Sequence, residues 1–158
     1  MKGWADARRA VEQYVIEKVP TTSGITTVPV YLENQERPKR SGNPPGEWIG
    51  LSMSEQASAY TTVGPSPRLQ VSGLIVAQVF TPLGGPRLAR RSAEVVEALA
   101  GLFISEGIRA ATSGRLSFLR PPYQQPVGAS DGWWQDNLLV PYVRSLQVTL
   151  ASAWTAAP

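Results

Sequence analysis

Histidine and cysteine are both missing from the 158 residues of this chain, and with them go most of the ordinary carriers of chemistry. Without cysteine there is no disulfide framework and no thiolate zinc site, and the redox compartment stays open. Without histidine a metal would rest on oxygen ligands alone. The twelve carboxylates are scattered, with no Asp/Asn-Gly calcium loop among them. A nucleophilic Ser, Thr or Lys would lack an imidazole base. Gly84-Gly85 lacks both the Lys-Ser/Thr of a phosphate loop and the spacing of a dinucleotide fingerprint. Asp131 and Asp136 could be weighed as a hydrolytic carboxylate pair, but Asp131 precedes Gly132, where an Asp ordinarily serves a turn. The residues therefore argue for no enzyme and for no cofactor or metal.

Charge of one sign is also scarce. The formal net charge is +3, and the basic residues gather only in Arg37, Lys39 and Arg40 and in Arg87, Arg90 and Arg91. A duplex-binding domain shows a more concentrated stripe. The five tryptophans do not interleave with basic groups as a single-strand binder requires. No apolar run approaches the ~20 residues that cross a bilayer, and residues 1–9 lack the apolar core of a secretion signal. The expectation is a soluble protein made in the cytosol, without a membrane partner.

What is present is enough apolar residue, 42%, for a real core. A chain of this length buries roughly 70% of the surface its unfolded form exposes. One domain over 1–158 is expected, with an exposed loop at 35–46, a hairpin arm at 55–68 and a tail from about 151 to 158. Trp4, Ala7, Val11, Tyr14 and Val15 recur at steps of three and four, which predicts a helix over 4–18. Asp6 and Lys18 suit its dipole and Pro20 stops it. Val28–Leu32 reads as an edge strand, because Pro29 interrupts it. Loop 35–46 piles up Pro, Gly and charge. Residues 47–54 alternate, Ile49, Leu51 and Met53 against Trp48, Gly50 and Ser52, which predicts a half-buried strand. The polar stretch 55–68 then forms an arm with Gly64-Pro65-Ser66-Pro67 at its tip.

Leu69–Phe80 is apolar on both faces, Val71, Ile75, Ala77 and Val79 on one and Leu74, Val76 and Phe80 on the other. It reads as the central strand, covered on both sides. Two main helices are too few to cover both, so the arm or another subunit is expected to close one face. Gly84-Gly85-Pro86 makes a corner. A helix follows, with Leu88, Ser92, Val95, Val96, Leu99, Leu102 and Phe103 as its buried stripe and Gly107 as its end. Its arginines crowd the positive end of the dipole and Glu94 and Glu97 lie downstream. They either face solvent or answer acidic groups on a neighbour. Residues 108–111 and 115–119 read as short strands, 121–130 as a loop and 133–140 as a strand bent at Pro141. A further strand runs over 142–150. Trp133 and Trp134 face opposite sides, so one is expected to be exposed or buried by a partner. The fold class is α+β, a twisted, mostly antiparallel sheet with two main helices on one face.

Three pieces in this order carry a family likeness. They are Gln78-Val79-Phe80-Thr81-Pro82 before a Gly-rich corner, the helix closing on Leu102-Phe103, and Gly132-Trp133-Trp134-Gln135 leading into Val140-Pro141-Tyr142. Over about residues 47 to 144 the chain resembles the tail terminator proteins of long-tailed bacteriophages and related gene-transfer particles. The resemblance implies a homo-oligomeric ring, usually of six copies, at the head-proximal end of the virion tail. Such a ring stops addition of tail tube protein on one face, meets the head-tail connector or stopper on the other, and lets DNA pass through its lumen. It implies no catalytic residues.

Another tail or neck component, a tube subunit or a head-side stopper, is the nearest alternative, and a small carboxylate-dependent hydrolase the more distant one. The residues expected at a subunit or ring contact are Arg87, Arg90, Arg91, Trp133, Trp134, Tyr60, Pro65, Pro67, Arg37, Lys39 and Arg40.

Overall fold

Burial periodicity and hairpin pairing together organise the chain, whose computed structural model describes residues 3–38, 46–84 and 88–147. Helix α1 spans Trp4–Lys18 and buries Ala7, Val11, Tyr14 and Val15, the stripe its spacing requires. A 3₁₀ turn, Val19–Thr21, carries Pro20. The Thr21 and Thr22 hydroxyls donate to the Lys18 carbonyl at 2.9 and 2.7 Å and so satisfy an otherwise open helix end. Strands β1 (Val30–Leu32), β2 (Trp48–Tyr60) and β3 (Arg68–Pro82) follow. Next come helices α2 (Leu88–Ile104) and α3 (Glu106–Ala111), then β4 (Leu116–Ser117), β5 (Tyr123–Ser130) and β6 (Trp133–Gln147).

The six strands form one sheet in the order β1-β2-β3-β6-β4, with β5 also pairing β6. Only β1 runs parallel to its neighbour; the other pairings are antiparallel. The class is α+β, and the sheet is not closed into a barrel. β3 is central, flanked by β2 from Trp48↔Phe80 to Tyr60↔Leu69 and by β6 from Pro82↔Trp133 to Arg68↔Gln147. β2 and β3 continue into the arm as a regular hairpin. Its turn is closed by Thr61 N–H to the Arg68 carbonyl at 2.8 Å and by Arg68 N–H to the Thr62 hydroxyl at 2.7 Å.

Parity along these strands decides what each face carries. Ile49, Leu51 and Met53 share the inner face with Ile75, Ala77 and Val79 of β3 and with Leu138, Val140 and Tyr142 of β6. Against them pack Val95, Val96, Leu99 and Phe103 of α2 and Ala7, Val11 and Val15 of α1. Every one of these is buried.

Three expectations need correction. Residues 108–111 are helical rather than extended. Ser105 is the N-cap of α3, Glu106 and Arg109 lie in its first and last turns, and Thr112 donates its hydroxyl to the Ile108 carbonyl at 3.0 Å. One buried apolar residue, Ile108, is too short a signal to separate the two periods. Gly107 accordingly lies inside α3 and does not end α2. A Cβ there would stand 2.9 Å from the Tyr14 hydroxyl, so glycine admits the ring. Residues 123–130 are strand β5 rather than loop. They pack neither face, so no apolar alternation announces them, and the ladder to β6 holds them in place. β6 is continuous through Pro141. On its outer edge β5 pairing ends at Leu139 and β4 pairing begins at Val143, so a missing donor on that edge interrupts nothing.

Gly73 is the tightest point of the sheet. It pairs with Glu55 on one side and Tyr142 on the other, and a Cβ there would fall 2.2–2.5 Å from the Tyr142 ring. The ring lies over the glycine, and its hydroxyl donates to the Ser54 carbonyl of β2 at 3.2 Å. Gly73→Ala is expected to displace Tyr142 and destabilise the fold by about 2 kcal/mol or more. Urea unfolding measures it, and a midpoint equal to wild type would contradict this account of the contact.

Candidate interaction surface

The sheet face turned away from the helices carries the even-numbered residues of β3. At one end it is aromatic. Trp48 stacks on Phe80 with ring centroids 4.0 Å apart and planes at 9°, and Trp133 and Tyr31 meet Trp48 edge-on at 6.0 and 5.6 Å. Arg37 closes the cluster. Its guanidinium carbon lies 5.8 Å from the Trp48 ring centroid, a cation–π contact, and Nη1 donates to Gln78 Oε1 at 2.8 Å. Trp133 is thereby only 5% exposed.

Trp134 faces the helices, half-buried, and its indole N–H donates to Asp136 at 3.0 Å. The expectation that one tryptophan would be exposed or covered by a partner is therefore corrected: the chain covers Trp133 itself, with its own aromatic rings. Strand β2 is likewise buried on both faces at Trp48–Leu51, where a half-buried strand was expected.

Beyond this cluster the same face opens into a groove of about 450 Å³, with Leu74, Leu119, Tyr123, Pro141 and Val143 around it and Arg120 at its rim. Leu119 and Tyr123 are exposed there, as is Val127 further along β5. On the arm Tyr60 and Val63 are exposed, Val63 completely. Pro65 is exposed, whereas Pro67 is buried and offers no surface. Two separate apolar surfaces result, one on the arm and one along the β5 side of the open face.

The arginines of α2 divide. Arg90 is exposed and pairs with Glu94 at 3.1 Å, while Arg91 is half-buried, bonded to Glu47 and 3.7 Å from Glu94. Arg91 thus answers acidic groups of its own chain. Arg87, Lys39 and Arg40 lie outside the described residues. Asp131 and Gly132 both have positive φ, 52° and 83°, as a two-residue hairpin turn of type I′ requires. Asp136 is buried and accepts from the Ser92 hydroxyl, fastening α2 to β6. Among the described residues no three His, Cys, Asp or Glu side chains group as a metal would need. No helix of the described residues is long and apolar enough to cross a membrane.

Two polar contacts on the helix-facing side escaped the sequence reading. The Trp4 indole donates to the Tyr142 hydroxyl at 3.3 Å, which in turn reaches β2. Arg144 Nη2 meets Glu55 Oε1 at 2.6 Å with both side chains largely buried. Parity was the available signal for Arg144: it shares its face with Tyr142 and Leu146, where a charge is out of place.

No family model matches the chain, and no curated protein does. Thirteen solved chains match it. One of them, whose name carries no function, superposes with a TM-score of 0.58 at 20% identity, over 90% of this chain and 96% of its own. At that identity the likeness speaks for the fold.

Burial pushes the Tyr142 phenol above its ordinary value of 10.0, a shift opposed by the Trp4 hydrogen bond, increased by Glu55 and opposed by Arg144. A pKa raised in the folded state means stability held in full below the unfolded value and lost as pH climbs through the folded one. The wild-type melting temperature should therefore fall on going above about pH 10 more steeply than that of Tyr142→Phe; parallel curves would refute it. For the arginines, Arg90→Glu should change stability by no more than about 0.5 kcal/mol. Arg91→Glu, which sets a carboxylate against Glu47, should cost about 1 kcal/mol. Equal midpoints in urea for the two variants would count against the Arg91–Glu47 contact.

Proposed function

We propose that the chain is a structural ring protein of a virion tail. It caps the tail tube, stops its elongation and joins it to the head-side connector, as the resemblance to tail terminators implies. The observation that carries this reading is the pair of distinct apolar surfaces, Tyr60 and Val63 on the arm and Leu119, Tyr123 and Val127 beside the groove. A two-fold dimer uses one self-complementary patch, whereas a ring needs two different patches that meet head to tail. Stopping growth also demands an attractive face and a mismatched one, since specificity is a difference of affinities. A long arm on one side of the sheet and helices over only one of its faces supply two unlike sides. The proposed partners are further copies of the chain, the tube protein and the connector, with DNA in the lumen unread in sequence. No catalytic step belongs to this reading.

Particles lacking the protein should carry tails of abnormal length, unattached to heads, and adding the purified protein to such an extract should block further elongation. Normal, head-joined tails in its absence would overturn the assignment. Purified protein that stacks into open tubes by itself would make it a tube subunit instead. The double variant Tyr60→Ser, Val63→Ser should keep wild-type stability within about 0.5 kcal/mol and fail to restore normal tails. Full complementation by that variant would exclude the arm as a contact surface.

A further inference from the structure

The root of the arm is built like a hinge. At one level of the sheet β2 carries a bulge, where Gln56 is inserted between the pairs Glu55↔Gly73 and Ala57↔Ser72, and β3 carries Gly73. A bulge and an adjacent glycine are the devices by which a sheet bends. Beyond this level Ala57, Ser58, Ala59 and Tyr60 are all exposed. The bare backbone at Gly73 lets side chains of β2 and β6, which are not neighbouring strands, meet above β3. The Tyr142 hydroxyl donates to the Ser54 carbonyl at 3.2 Å, and Arg144 Nη2 meets Glu55 Oε1 at 2.6 Å. Both contacts lie on the helix-facing side and span the bend.

The ion pair is only partly satisfied. Glu55 Oε2 and Arg144 Nε and Nη1 are buried with no hydrogen-bond partner. An ion pair taken out of water returns its desolvation cost only when its remaining donors and acceptors are met. Opening the bend would hydrate all three atoms. The closed arrangement therefore holds the arm without a large margin over an open one.

We propose that Gln56 and Gly73 form a hinge line for the arm, and that the Glu55–Arg144 pair together with the Tyr142–Ser54 contact is a latch that sets the arm's angle and can release it. The latch is independent of what the arm touches, so it stands or falls apart from the ring assignment.

Amide hydrogen exchange on the full chain tests it. In the wild type, amides of 57–60 and 69–72 should exchange through an opening with little denaturant dependence, while those of 75–79 exchange only on global unfolding. Glu55→Gln leaves the buried guanidinium uncompensated, and arm exchange should rise at least tenfold relative to 75–79. The double variant Glu55→Leu, Arg144→Met has no charge to hydrate on opening, and its arm should be protected at least as well as in wild type. The proposal is overturned if wild-type arm and core amides share one denaturant dependence. It is equally overturned if Glu55→Gln speeds both sets by the same factor or neither, or if the double variant's arm exchanges faster than wild type. Should Glu55→Gln fail to fold, the wild-type and double-variant measurements decide the question.

Discussion

A side chain that is not there holds this sheet together. Because position 73 has no Cβ, the Tyr142 ring can lie over the middle of the central strand and reach the backbone of β2. Trp4 then bonds to the same hydroxyl. Helix α1, the central strand and both of its neighbours are thus joined at one point, and the rest of the inner core is ordinary apolar packing around it. The close approach costs nothing in hydrogen bonding, since the phenol, buried as it is, has both a donor and an acceptor on hand.

The open face follows another logic. It keeps its large rings dry by stacking them on one another and laying Arg37 across them, so the aromatic residues there serve stability first. What is left for contact is smaller and more peripheral: the arm and the β5 side of the groove. Contact energy concentrates in a few well-placed side chains rather than in area. Modest surfaces of this kind suit a subunit that joins its neighbours only when a tube end brings the copies together.

Much of this was readable from residue order, and the reasons are particular. Helix α1 declared itself because five apolar residues repeat at helical steps and Pro20 stops them. β3 declared itself because apolar residues occupy both of its parities, and the arm because two prolines and a glycine punctuate a polar run. Strand β5 did not, since an edge strand with neither face packed has no pattern to show. Nor did α3, whose single buried residue fits either period. The Glu55–Arg144 contact spans 89 residues of sequence, and only the pairing of β2, β3 and β6 brings its partners together. Trp133 was misjudged because burial on the open face was credited to a partner, while Trp48, Phe80 and Tyr31 were available within the chain.

Strand β5 leaves one edge without a partner among the described residues. Exposed edges of this kind recruit strands from other molecules and seed fibrils. Pro126 removes one donor from the strand, and the register shift between Pro126 and Gly128, where Gly128 adopts φ 113°, breaks the straight run of the rest. A foreign strand approaching this side would meet a kinked, incomplete template. At the high local concentration of an assembling particle, that defect lets many copies crowd together without their sheets fusing into amyloid.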